Sequence, residues 1–199
     1  MTGNEPSLRD RQRAQILADI RRAAFRLFIE RGYDAVTTEE VAAAAGVSAR
    51  TLFRYVPTKE ELILGPIRHG GAAVVTLLEA RPTREAPDVA ITNAIVARIN
   101  AFDDSESEKW RAALLVAPDL LDKVSIITQA DKDRVVKIIA ERMGADPDID
   151  MRPGLLVQLV FAAGDFAFQQ WVRQSTTNPQ PLHTYVAEAL EAVKSRRWK

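Results

Sequence analysis

Ser48, Ala49, Arg50 and Thr51 open a short segment whose residue types suit the reading of base edges. An arginine in such a place can bond guanine in a bidentate fashion, and a threonine can meet a thymine methyl group or a base edge. Groups suited to phosphate lie nearby. Thr37 and Thr38 stand at one predicted helix start, Tyr55 closes the segment, and Lys59 stands at the next helix start. Helix N-termini, tyrosine hydroxyls and lysine ammonium groups all serve as phosphate grips. Taken alone, Arg50 and Thr51 also describe an ordinary solvated helix face. The Tyr55 ring can pack in a core while its hydroxyl meets a phosphate, so both readings of it can hold together. A second basic group runs from Arg9 through Arg11, Arg13, Arg21 and Arg22 to Arg26, against Glu5, Asp10 and Asp19. Charge alone favours a solvated face there, with DNA contact as the other reading.

The elements that must hold these side chains are legible from their start and stop signals. A first helix is predicted from about Ser7 to Arg31, with Ile16, Ile20, Ala24, Leu27 and Phe28 as one apolar stripe. Gly32 is a suitable residue to end it. Thr37 and Glu40 fit a capping box ahead of a short helix through Ala45. Gly46 breaks that helix, Ser48 is a good N-cap for the next one through Tyr55, and Pro57 ends it. Thr58 and Glu61 form a second capping box that starts a fourth helix near Lys59. Two short helices joined at a glycine, with Ala42 to Ala45 small enough for a close crossing, describe a helix-turn-helix. In such a pair the second helix enters the major groove. Helices this short need a shared core, predicted as Leu27, Phe28, Val41, Ala45, Val47, Leu52 and Leu62.

After residue 65 the periodicity predicts longer helices near 66–80, 87–102, 106–116, 118–143, 151–174 and 181–197. Strand signals are weak throughout, so the fold class is all-α. The chain has 199 residues, close to half of them hydrophobic, which allows one or two folded domains. It has no cysteine, which excludes disulfides, thiolate zinc sites and cysteine nucleophiles. His69 and His183 are isolated, so no metal and no cofactor is expected. Residues beyond 65 carry no Gly-rich phosphate loop and no local signature of a catalytic triad, so an enzyme is not expected. The polar start lacks a signal-peptide core, and no apolar run reaches the roughly 20 residues of a membrane span. The expected partners thus exclude a membrane, and the expected location is cytoplasmic. Net charge is zero, so any nucleic-acid contact must come from a local patch rather than from the whole surface.

The run Gly32-Tyr33, Thr38, Ala42, Gly46-Val47, Thr51-Leu52-Phe53-Arg54-Tyr55 and Lys59-Glu60-Glu61-Leu62 strongly resembles the TetR family of bacterial transcriptional regulators. Its order and spacing shift the reading of Arg50 and Thr51 to DNA contact. The resemblance implies DNA contacts, mostly to phosphate, at Thr38, Thr51, Phe53, Tyr55 and Lys59, with Arg54 at a position that varies among relatives. Phe53 stands where the family commonly has tyrosine, which removes a hydroxyl contact. Val56 stands where it commonly has phenylalanine, which should thin the packing. The resemblance implies a three-helix DNA-binding domain over 1–62 and a helical effector-binding and dimerisation domain over 63–199. The runs Ala117-Pro118-Asp119-Leu120-Leu121 and Asp150-Met151-Arg152-Pro153 are similar to actinobacterial members. The family's last two long helices usually pair across a two-fold axis, which maps to 151–174 and 181–197.

Expected partners are therefore a double-stranded DNA operator, a second copy of the chain, and a small apolar or amphipathic effector. The alternative is a DNA-binding dimer whose helical domain binds a protein partner or no ligand. Pocket candidates are Asn93, Trp110, Thr128, Phe161, Asp165 and Phe168. The aromatic residues suit a core equally well, and Asn93 and Thr128 suit exposed positions. Asp165 in an apolar helix must be paired or wet, which leaves a cavity, an arginine across the dimer or a water-facing position. Gly164 with Ala163 and Ala167 allows close helix approach and is assigned to the dimer seam, with Trp171 and Leu190.

Overall fold

The computed structural model describes residues 7–68, 70–101, 104–121, 125, 127–174 and 180–195, and His69 lies outside them. Among the described residues all regular secondary structure is helical. The order is α1 (Leu8–Arg31), α2 (Thr38–Ala44), α3 (Ala49–Tyr55), α4 (Lys59–Arg68), α5 (Gly70–Glu79), α6 (Pro87–Asn100), α7 (Asp104–Leu115), α8 (Pro118–Leu121), α9 (Gln129–Met143), α10 (Arg152–Arg173) and α11 (Leu182–Ser195).

The chain forms two compact units, one of residues 1–65 with 108–122 and one of residues 66–107 with 123–199. In the first, Ile20, Ala24, Phe28, Val36, Val41, Leu52, Val56, Leu62 and Ile63 are buried. Leu27, Ala45 and Val47, expected in that core, are only half-buried. Val56 is fully enclosed, so a valine fills this position. The return of residues 108–122 to this unit is not visible in the periodicity. It is fixed by Ala113, Leu114, Leu120 and Leu121, all buried, and by the indole N–H of Trp110, which donates to the Ile63 carbonyl at 2.8 Å.

Two helix boundaries differ from expectation. The helix predicted over 118–143 is two helices, α8 and α9. Thr128 has extended backbone and its hydroxyl accepts the Asp131 N–H at 3.1 Å. That N-cap starts a new helix where the apolar count suggested continuity. The helix expected near 66–80 is divided between two helices. α4 runs through Pro66 to Arg68, and α5 begins at Gly70.

In the second unit α10 is the central helix, packed against α11, α9 and α6. It buries Val157, Val160, Phe161, Gly164, Ala167, Phe168, Trp171 and Val172. By length and composition it is apolar enough to cross a membrane, contrary to the expectation from apolar runs. A buried core helix passes the same test, and this one presents a core face. The connection from α5 to α6 is held by Arg142 of α9, which donates to the carbonyls of Pro82 (2.8 Å), Leu78 (3.0 Å) and Arg81 (2.9 Å). Two of these carbonyls also accept backbone N–H groups, Leu78 from Arg81 and Pro82 from Glu85, so the guanidinium braces a turn that is already hydrogen-bonded. Beside it Glu85 accepts from Arg81 Nε at 2.7 Å and from Asn93 at 2.8 Å. The bond from Arg81, then that from Asn93, holds the Glu85 carboxyl at about 2. Arg142→Ala is expected to lower stability by about 2 kcal/mol, the scale for charged hydrogen bonds. Arg142→Lys should restore only part of it, since lysine lacks the planar fork. Urea unfolding followed by circular dichroism measures both.

Candidate DNA-binding site

The turn between α2 and α3 is closed by local chemistry. Thr37 caps α2 by accepting the Glu40 N–H at 3.2 Å, and the Glu40 carboxylate accepts the Thr37 N–H at 2.8 Å. Arg31 from α1 lies 2.8 Å from the same carboxylate. The Thr37 backbone bond and then Arg31 hold Glu40 below the ordinary carboxylate range. At the other end the N–H of Val47 bonds the Ala42 carbonyl and that of Gly46 bonds the Ala43 carbonyl, at 3.0 and 3.1 Å. This is a Schellman ending. It requires the left-handed residue that Gly46 supplies at φ +70°. Ser48 then caps α3 by accepting the Thr51 N–H at 3.1 Å, and its hydroxyl lies 2.9 Å from that of Thr51.

α3 faces inward through Leu52 alone. Leu52 is completely buried, while Arg50, Phe53 and Arg54 are exposed and Ala49, Thr51 and Tyr55 are half-buried. Phe53 is 44 % exposed, an unusual surface position for a phenyl ring. On α2, Thr37 is exposed and Thr38 half-buried, with the Thr38 hydroxyl donating to Glu39 at 3.1 Å. The Arg54 guanidinium lies 5.1 Å from the centre of the Tyr55 ring. Lys59, the first residue of α4, carries its ammonium 4.2 Å above the Tyr33 ring. Tyr33 in turn meets Phe28 edge-on at 5.1 Å. Burial first, then Glu60 and Asp34, push the Tyr33 hydroxyl up to about 12, so the ring beneath Lys59 stays neutral. All ten residues named for DNA contact thus lie on α2, α3, their caps or the first turn of α4.

Two residues with a bearing on this surface escape a site reading from sequence. Tyr33 belongs to the quoted pattern but shows no sign of supporting Lys59, which is distant in sequence. Arg13 was only one member of a basic run, yet its guanidinium lies 5.8 Å from the Tyr55 ring centre.

The six pocket candidates are not gathered in one place. Trp110 belongs to the first unit and is tied to Ile63. Thr128 is exposed and caps α9, and Asn93 is committed to Glu85. These three have structural roles of their own. Phe161 and Phe168 are buried on α10, with the Phe168 ring 5.7 Å from that of Trp171. Asp165 is half-buried and accepts from the Ser125 hydroxyl at 3.5 Å. The residues expected at the dimer seam also have places inside the protomer. Gly164, Ala167, Trp171 and Leu190 are buried inside the protomer, and Ala163 is half-buried. Small residues permit close approach by any helix, and here α11 of the same chain packs closely on α10. The apolar side chains that α10 leaves outside are Leu155, Leu159 and Phe166, at 61 %, 47 % and 61 % exposure.

An all-helical chain with a capped, glycine-turned α2–α3 pair and an exposed, basic second helix is a helix-turn-helix protein. Known proteins carry the assignment further. Residues 20–65 match the family described as "Bacterial regulatory proteins, tetR family", and residues 85–197 match the "MftR C-terminal domain". The HTH-type transcriptional regulator TcmR of Streptomyces glaucescens is 32 % identical over 97 % of this chain and 89 % of its own length. The HTH-type transcriptional activator FasR of Mycolicibacterium smegmatis is 29 % identical over 69 % of this chain and 63 % of its own. Native NalD, the secondary repressor of the MexAB-OprM multidrug efflux pump in Pseudomonas aeruginosa, shares the fold with a TM-score of 0.57. That alignment has 17 % identity and covers 93 % of this chain and all of the other. The chain belongs to the TetR family of bacterial transcriptional regulators.

Proposed function

We propose that the protein is a homodimeric repressor that grips a near-palindromic operator through α3 and releases it when a small apolar or amphipathic molecule binds the second unit. The observation that carries this reading is the outward face of α3, where Arg50, Phe53 and Arg54 are exposed on a helix held from behind by Leu52. In this reading Arg50 and Thr51 read bases, with Ser48 and Ala49 at the same helix start. Thr37, Thr38, Tyr55 and Lys59 hold phosphates, Phe53 supplies apolar contact, and Arg54 adds charge beside Tyr55. The division of work is a helix-turn-helix domain over 1–62 and an effector and dimerisation domain over 63–199. Two reading helices on a two-fold axis meet half-sites about 34–36 Å apart.

The apolar stripe of α10 supports pairing through α10 and α11. A ligand acts by fitting one arrangement of the dimer better than the other, and its leverage is limited to that difference in affinity. Phe161 and Phe168 supply apolar walls, and Asp165 supplies a polar anchor. As an operator-binding protein without catalysis it works in the cytoplasm, where the DNA is. Repression is the direction proposed, although FasR, one of the relatives, is an activator.

Selection of bound duplexes from a random library tests the reading, with a recovered palindrome as the expected result and no enriched sequence as the contrary one. On the recovered operator Arg50→Ala should cost about 1–3 kcal/mol and relax preference at one base position. Equal losses on all duplexes would make Arg50 a phosphate contact instead. In a promoter reporter, expression should rise when the protein is deleted, and a fall would make it an activator.

A further inference from the structure

The first two turns of α1 are built in a way that the reading above does not use. Every residue from Leu8 to Gln15 is exposed, and burial on α1 begins only at Ile20. An unpacked helix start frays unless it is capped, and this one is capped. Ser7 accepts the Asp10 N–H at 3.2 Å, and the Asp10 carboxylate accepts the Ser7 N–H at 3.2 Å and its hydroxyl at 2.6 Å. Asp10 is the only acid among residues 7–15, and it is committed to that cap. Among the described residues no carboxylate forms an ion pair with Arg9, Arg11 or Arg13.

The arginines do not all point the same way. Residues four apart share a helix face, and residues two apart lie on nearly opposite sides. Arg9 therefore shares the face of Arg13, one turn and about 6 Å further along the axis, while Arg11 faces away. Arg13 lies over the ring of Tyr55, which Arg54 also approaches, at 5.8 and 5.1 Å from its centre. Both guanidinium groups lie within 6 Å of the centre of one ring, so an anion bound beside that ring is attracted by two cations. The ring belongs to the last residue of α3, so the basic face of α1 is continuous with the candidate DNA surface.

We propose that the Arg9–Arg13 face of α1 is a DNA-backbone clamp. Arg13 and Arg54 share a phosphate beside Tyr55, and Arg9 takes a further phosphate outside the base-read half-site. This inference rests on the operator-binding reading and lengthens its footprint. It gives a neutral chain a local cation surface, where the whole-protein charge supplies none.

The test uses the full-length protein and its selected operator, with affinity measured by fluorescence anisotropy at increasing KCl. Arg9→Gln with Arg13→Gln keeps helix propensity and removes both charges. Each of the two subunits gives up the phosphate of Arg9 while Arg54 keeps the shared one, so the slope of log K against log salt should flatten by about 1.8, at about 0.9 per phosphate contact on duplex DNA, with the selected base sequence unchanged. Arg11→Gln should leave the slope within error of the wild type. An unchanged slope in the double variant, beside normal wild-type operator binding, overturns the clamp alone. A lowered melting temperature with that unchanged slope also overturns it, since Arg13 would then be a strut for Tyr55. Equal flattening by Arg11→Gln overturns the facial assignment, because charge on any side would then serve. Failure of the wild type to bind any duplex selectively overturns the operator reading and the clamp with it.

Discussion

Phe28→Ala should remove about 3–5 kcal/mol of stability from the first unit, the scale for emptying a large buried aromatic site. Phe28 is fully enclosed on α1, and its ring is the surface against which Tyr33 packs edge-on. Tyr33 in turn carries the Lys59 ammonium, which lies 5.9 Å from the Phe28 ring itself. The substitution thus opens a cavity and withdraws the support under Lys59. A domain has only about 5–15 kcal/mol of stability in all, so the expected result is a head largely unfolded near physiological temperature. Phe28→Leu retains most of the volume and should lose well under half as much. Urea unfolding and operator binding report the two consequences separately. A loss below about 1 kcal/mol for the alanine variant would mean that the core closes over the gap, contrary to its packing.

What could be read in the sequence divides along a physical line. Thr37 with Glu40, Gly46 and Ser48 are legible because caps and turns are interactions between residues three to five apart. The Thr128–Asp131 start is the same kind of signal. It is hidden because no glycine or proline interrupts residues 119–143, and the hydroxyl is read as a pocket group rather than a helix end. Contacts distant in sequence left no such trace. The bond from Trp110 to Ile63, the seat of Lys59 on Tyr33 and the approach of Arg13 to Tyr55 depend on the packing of different helices. The Gly164–Ala167 stripe shows the limit most clearly. Small side chains encode a close helix neighbour without saying whether it comes from the same chain. On α10 Gly164 and Ala167 are buried within the protomer, whose α11, α9 and α6 all pack against this helix.

The burial of that stripe within the protomer leaves the outer face of α10 as the surface on which the dimer prediction is made. Leu155, Leu159, Ala162 and Phe166 recur at intervals of three and four on α10, which makes one exposed face. In a two-fold dimer every substitution on that face occurs twice, because the same patch meets itself. Leu159→Glu with Phe166→Glu would place four carboxylates in the seam, unpaired and of like sign. Burying such charges without partners costs several kcal/mol, and the expected species in sedimentation velocity at micromolar concentration is a monomer. Both side chains are exposed within the protomer, at 47 % and 61 %, so helix content should stay at the wild-type value. Operator affinity should fall to that of a single half-site, because the second head no longer adds its effective concentration. A variant that remains dimeric with full operator affinity would remove α10 from the interface and leave its apolar stripe to some other partner.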